Sequence, residues 1–193
     1  MKLVVGLGNP GREYERTRHN VGFLAVEEMA RRSGAAWRRS LRFPARMATI
    51  RPADGPETLL MEPLTYMNAS GDAVGPLLRK RGLTPDDLLV IFDDADLPAG
   101  ALRVRPFGGP GGHNGMRSII AAIGSDRFAR IRIGIGRGGG AELVEHVLAS
   151  FTPDEWKTMD DTIRRGADAA LCWAVEGIEP AMNRFNRRSE QQE

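Results

Sequence analysis

At 193 residues and 41% apolar content, the chain can bury one sizeable core and is too short for an easy two-domain division. No stretch approaches the roughly 20 apolar residues of a membrane span, and the amino terminus enters a strand pattern instead of a signal-peptide pattern, so a cytoplasmic location is expected; the single cysteine, Cys172, excludes an intramolecular disulfide and a cysteine-cluster metal site. The net charge is only +2, but Arg103, Arg105, Arg117, Arg127, Arg130 and Arg132 face Asp126 alone between positions 101 and 132, while Asp86, Asp87, Asp93, Asp94 and Asp96 crowd positions 86 to 96. Such segregation suits a phosphate-binding surface beside a carboxylate-bearing site.

Lys2 to Val5 is a short apolar, β-branched run that empties into Gly6-Leu7-Gly8-Asn9-Pro10-Gly11, a buried strand followed by a turn cluster. Val21, Leu24, Ala25 and Met29 recur at helical spacing over 20–33, with Gly34 as the stop. Two strand-like runs, 45–51 and 57–62, flank Pro52-Ala53-Asp54-Gly55-Pro56 as a hairpin. The turn Thr65 to Ser70 leads into a helix reaching Arg81, which Gly75-Pro76 is expected to bend or delay and Gly82 to end.

Leu88 to Phe92 reads as a central strand buried on both faces that delivers Asp93 at its carboxyl end. Residues 101–105 alternate as a half-exposed strand, Gly108 to Gly115 forms a loop, and a helix spans 116–123. A strand over 130–135, a short helix over 141–148 and a longer one over 153–175 follow, the last with Trp156, Met159, Ile163, Ala167, Ala170 and Ala174 as its core stripe. Cys172 is expected to pack in the core. With no repeat or linker, the expectation is a single α/β domain over 1–186, a twisted mixed β-sheet flanked by α-helices, and a frayed tail over 187–193.

The first glycine cluster satisfies G-x-G-x-x-G, yet Arg12 to Arg18 offers no apolar helix face and no acidic strand end follows about 20 residues later; a dinucleotide site is therefore rejected. The second glycine loop precedes a helix start, a better anion cradle, but lacks the Lys-Ser/Thr of a P-loop. Asn9, Asn68 and Asn114 lie in three separate turns, where neutral amides can hold a peptide-like substrate. His19 with Asp93 is the candidate catalytic pair: an imidazole can take a proton from water at neutral pH while a carboxylate fixes its tautomer. No serine or cysteine stands in a nucleophile elbow, which leaves water as the direct nucleophile. Turn capping or divalent-cation binding by Asp93, Asp94 and Asp96 stays open at this point.

Six ordered motifs together resemble the bacterial peptidyl-tRNA hydrolase family over essentially the whole chain: Gly6 to Gly11; Tyr14 with Thr17-Arg18-His19-Asn20; Thr65 to Gly71; Phe92 to Pro98; Gly111 to Gly115; and Arg130 to Gly136. The resemblance implies a monomeric, cofactor- and metal-independent esterase that cleaves peptide from the 3′ end of tRNA, with His19 as general base and Asp93 as its orienting partner. It further implies substrate contacts by Asn9, Tyr14, Tyr66, Asn68, His113 and Asn114, and tRNA contacts in the acceptor and TΨC region by Arg103, Arg105 and Arg132. The family often carries lysine at the first two of these. Residues 136–148 correspond to a mobile lid, and Pro110 is expected to stiffen the glycine loop. Plastid relatives act as RNA-splicing factors on the same fold, so RNA binding without turnover is the competing expectation.

Overall fold

The computed structural model describes residues 1–137 and 143–186. The chain alternates strands and helices as the apolar periodicities require. In order these are β1 (Lys2–Gly6), α1 (Val21–Arg32), β2 (Arg38–Arg39), β3 (Ala45–Ile50), β4 (Thr58–Pro63), α2 (Gly71–Arg81) and β5 (Leu88–Asp94). They are followed by β6 (Leu102–Arg105), α3 (Asn114–Ile123), β7 (Ala129–Gly134), α4 (Leu143–Leu148), α5 (Pro153–Glu176) and α6 (Ile178–Phe185). The strands form one mixed seven-stranded sheet in the order β2-β3-β4-β1-β5-β7-β6. Pairs β1/β4, β1/β5 and β5/β7 are parallel, and the outer pairs β2/β3, β3/β4 and β6/β7 are antiparallel.

Both sheet faces are covered, so β1 and β5 read as continuous apolar runs. On one face Val4, Leu89, Ile91, Ile131 and Ile133 pack beneath α1 and α5 through Ala25, Met159, Ile163 and Ala170. On the other, Leu3, Val5, Val90 and Phe92 meet α2 and α3 through Val74, Leu77, Met116 and Ile119. Cys172 lies in the first of these clusters. No helix among the described residues is long and apolar enough to cross a membrane.

The expected elements are present, with instructive departures. Pro76 does not delay α2, which starts at Gly71 and runs through it to Arg81. Close packing on α3 compensates: a Cβ at Gly71 would lie 2.2 Å from the Ser118 carbonyl oxygen, and one at Gly75 3.2 Å from Ala122. The α3 helix begins two residues earlier than its apolar pattern, because His113 caps it by accepting from the Met116 N–H at 3.3 Å. Helix α6 lies beyond the expected elements, although Ile178, Ala181, Met182 and Phe185 have helical spacing. β2 consists of two exposed arginines and carries no apolar signal. Of the expected lid over 136–148, positions 138–142 lie outside the described residues, as does the expected tail over 187–193.

The connections leaving β1 and β5 diverge to opposite sides of the sheet, toward β2–β4 and β6–β7 respectively. A crevice opens outside their carboxyl ends, the place where open α/β sheets bind ligands.

Candidate active site

His19 reaches that crevice through a close contact between backbone segments. A Cβ on Gly22, the second residue of α1, would lie 2.3 Å from the Ile91 carbonyl oxygen and 2.4 Å from the Leu7 nitrogen; one on Gly6 would lie 2.2 Å from the Gly22 oxygen. Glycine at both positions lets the start of α1 sit directly on the ends of β1 and β5. The first glycine of the G-x-G-x-x-G pattern thus serves helix–strand packing, and the loop leads through short turns at Arg12–Tyr14 and Arg18–Asn20 instead of a dinucleotide-binding helix.

The resulting geometry joins His19 to Asp93, the sixth residue of β5. His19 Nδ1 lies 2.9 Å from both carboxylate oxygens, and Asp93 is 3% exposed. His113, expected to contact substrate, also turns to Asp93, with Nε2 3.0 Å from Oδ1. Since the Met116 N–H donates to His113 Nδ1, the proton of a neutral His113 sits on Nε2 and is donated to Asp93. His19 likewise donates from Nδ1, which leaves its Nε2 as an acceptor for water. Burial opposes ionisation of Asp93, but the two imidazoles, His113 foremost, outweigh it and hold the carboxyl well below the usual range. The ligating atoms of His19, Asp93 and His113 lie within 4.8 Å of one another, the one cluster of three His, Cys, Asp or Glu side chains among the described residues with the spacing of a cation site. His19 Nδ1 and His113 Nε2 are engaged with the Asp93 carboxylate.

Around this pair a cleft of about 750 Å³ is lined by His19, Asp93, the loop Gly108–His113, Asn114, Arg105, Arg130, Arg132 and Val144. The charge segregation of the sequence is only partly kept in space. Asp94 pairs with Arg132 and Asp96 with Arg137 inside the cleft, whereas Asp86 and Asp87 meet Lys2 at the far end of the sheet. Arg105 is exposed. Arg103 shares a face with Arg132, its cross-strand neighbour, but is not among the cleft-lining residues and donates to the Asn186 carbonyl at 3.1 Å.

The asparagines divide their capacity between frame and solvent. Asn9 Oδ1 accepts from the Met67 N–H at 2.8 Å, which ties the first loop to the turn carrying Asn68. Asn68 is exposed, and Asn114 is exposed with its Oδ1 taken by Arg117 at 3.0 Å. Tyr66 is 65% exposed beside Asn68. Tyr14 is half-buried, and its carbonyl accepts from the N–H and hydroxyl of Thr17.

Three residues outside the expected set hold the site together. Asn20, 3% exposed, accepts from the Asn9 N–H and donates to its carbonyl, a reciprocal pair that fixes the first loop. Arg18, 6% exposed, grips both Glu155 oxygens at 2.8 Å and the carbonyls of Ala149 and Ser150, anchoring the turn that carries His19. Arg130, 2% exposed, donates to the carbonyls of Gly108, Gly109 and Asp126 beneath the glycine loop. The first two stood in the Thr-Arg-His-Asn motif; nothing in the alternation of β7 separates Arg130 from Arg132.

The family model for peptidyl-tRNA hydrolase matches residues 3–193. The peptidyl-tRNA hydrolase of Deinococcus deserti is 49% identical over 189 residues, covering 96% of this chain and 85% of that protein. That of Syntrophomonas wolfei is 47% identical over 186 residues, covering 96% and 100% respectively. The crystal structure of peptidyl-tRNA hydrolase from Acinetobacter baumannii is similar with a TM-score of 0.89 at 38% identity, over 97% of this chain and 95% of that one. On sequence and fold alike, the chain belongs to the peptidyl-tRNA hydrolase family.

Proposed function

We infer that the protein hydrolyses the ester joining a peptide to the 3′ end of tRNA, with His19 drawing the proton from an attacking water. The 2.9 Å contact between His19 Nδ1 and Asp93, at one end of a cleft walled by arginines, carries this reading. As water attacks the ester carbonyl, its proton passes to His19 Nε2 and the imidazolium is stabilised by the buried Asp93 carboxylate. The tetrahedral intermediate then collapses with expulsion of the terminal ribose oxygen, which takes the proton held on His19 Nε2 and so returns the imidazole to its neutral form. A positioned base contributes about 10² to 10⁴ in rate, and an aminoacyl ester is already activated. No step requires a metal or cofactor.

His113 acts on substrate through Asp93: as a second donor it keeps the carboxylate ionised and oriented. On this reading Asn68, Asn114 and the amide nitrogen of Asn9 supply donors for the peptide and the developing oxyanion, and Tyr14 and Tyr66 add further substrate contacts. Arg105 and Arg132 bind phosphates of the acceptor and TΨC region, and Arg103 extends that strip along β6. Arginine preserves the phosphate contact that lysine would make while adding a planar fork. A site that pairs with an amide at the α-nitrogen and offers nothing to an ammonium would spare ordinary aminoacyl-tRNA. A cytoplasmic monomer suits this substrate.

The test compares release of the acyl group from N-acetyl-aminoacyl-tRNA and from the same tRNA with a free α-amino group, beside His19→Ala. Selective release that disappears in the variant is expected. Tight tRNA binding without release would mark a non-catalytic RNA-binding protein instead.

A further inference from the structure

We propose that Phe107 is a stacking platform for an unpaired base of the RNA strand that carries the ester, an inference that rests on peptidyl-tRNA being the substrate. Phe107 is 55% exposed, unlike Phe92 and Phe128, which are buried in the core. It lines the same cleft as His19, Asp93, Arg105 and Arg132. A single exposed phenylalanine is unremarkable on a protein surface; this one is distinguished by its mounting and its neighbours.

The backbone on both sides of the ring is fixed. Pro106 restricts the chain before it. After it, the Gly108 N–H donates to the Asp126 carbonyl at 3.2 Å, and the buried Arg130 guanidinium holds the carbonyls of Gly108 and Gly109. The ring is therefore presented on a pinned loop, which lowers the ordering cost of binding against it. The Arg127 guanidinium carbon lies 5.5 Å from the ring centroid, a cation–π contact that steadies the ring while leaving it more than half exposed.

The charge around the ring selects the ligand. Arg105 and Arg127 stand close to it in sequence or in space, and Arg132, paired with Asp94, lines the same cleft, so an approaching chain is favoured by its phosphates. Aromatic faces interleaved with cations are the general device for single-stranded nucleic acid, because every base offers a π-face. Bases within the acceptor duplex are stacked inward and present no free face. The unpaired 3′-terminal stretch does, and it must pass through this cleft to bring its ester to His19.

The experiment measures steady-state kinetics of Phe107→Ala, Phe107→Leu and Phe107→Trp on N-acetyl-aminoacyl-tRNA. It adds a fluorescence titration of the Trp variant, against wild type, with a short ribo-oligonucleotide that ends in unpaired CCA and bears no peptide. Loss of one base stack should raise KM roughly 5- to 150-fold in the Ala and Leu variants, with kcat changed by less than about twofold, the mark of lost uniform binding. The Trp variant should keep KM near wild type, and its added emission should be quenched by the oligonucleotide. An unchanged KM in Phe107→Ala, or a Leu variant as good as wild type, would overturn the proposal, the latter by assigning Phe107 a purely apolar contact with the peptide. So would an unquenched Trp. Should the wild type hydrolyse nothing, the assignment of substrate fails separately, and the oligonucleotide titration still decides whether Phe107 stacks a base.

Discussion

Replacing Asp93 with asparagine removes one charge and changes few atoms, which isolates the carboxylate's part in the reaction. Asp93 accepts hydrogen bonds from His19 Nδ1 at 2.9 Å and from His113 Nε2 at 3.0 Å, and it is 3% exposed, so water cannot take its place. An asparagine offers one carbonyl oxygen to these two donors and points an NH₂ group at one of them. His19 then relieves the clash by moving its proton to Nε2, the nitrogen that must accept from water. The base then has the wrong tautomer and its imidazolium has no carboxylate to stabilise it, so the contribution of a positioned base is lost, roughly 10²- to 10⁴-fold in kcat. Single-turnover release from N-acetyl-aminoacyl-tRNA measures this directly. Affinity for tRNA should hold, because Arg105 and Arg132 are untouched. A folded Asp93→Asn protein that keeps more than about a tenth of wild-type kcat would refute the claim that Asp93 sets the His19 tautomer.

Substituting His113 by alanine leaves the His19–Asp93 contact in place, so kcat should fall by only about 10- to 100-fold, the equivalent of one charged hydrogen bond; a loss as large as that of Asp93→Asn would make His113 a direct participant. Joint replacement of Arg105 and Arg132 by glutamine should raise KM and lower the slope of log KM against log salt by about 1.4–1.8, two phosphate contacts' worth, whereas an unaltered slope would place the tRNA surface elsewhere. Stability should also depend on Glu62, fully buried beneath α1 with Oε2 held by Arg46 and Oε1 without a partner among the described residues. Burial pushes this carboxyl up to about 8 against the pull of Arg46, so the folded protein keeps a proton that the unfolded chain releases near 4.5. That contribution is complete below about pH 4.5 and lost as pH rises through about 8, so Tm should decline across this window and Glu62→Gln should flatten the decline. A wild-type Tm that stays level across the same window would remove Glu62 from the pH response.

Periodicity found the elements whose burial is one-sided or complete: the Leu88–Phe92 run, the α1 face and the α5 stripe all lie where their spacing puts them. It missed β2, whose two arginines make backbone hydrogen bonds and bury nothing. Pro76 is a local interruption signal that says nothing of the α2–α3 contact, where small residues at 71, 75 and 122 let the helices approach. The sheet order is not encoded in any single segment. It follows from which strands share an apolar face and from the short connections at the antiparallel edges.

The site shows the same division between chemistry legible in residue type and chemistry that depends on direction. His19 and Asp93 could be paired from their strand-end and loop positions, 74 residues apart. The role of His113 could not, because it turns on which nitrogen faces the helix start. Once the Met116 N–H occupies Nδ1, the opposite nitrogen must donate, and the nearest acceptor is Asp93. Helix α3 thus fixes a proton on one histidine, that proton holds the carboxylate, and the carboxylate fixes the proton on the second histidine. The base is set from two ends of the fold at once: from α3 through His113, and from the Gly6–Gly22 contact that seats α1. Changes far from the cleft that shift either helix start by even a fraction of a hydrogen-bond length should therefore act on kcat, while those confined to the arginine wall should act on KM.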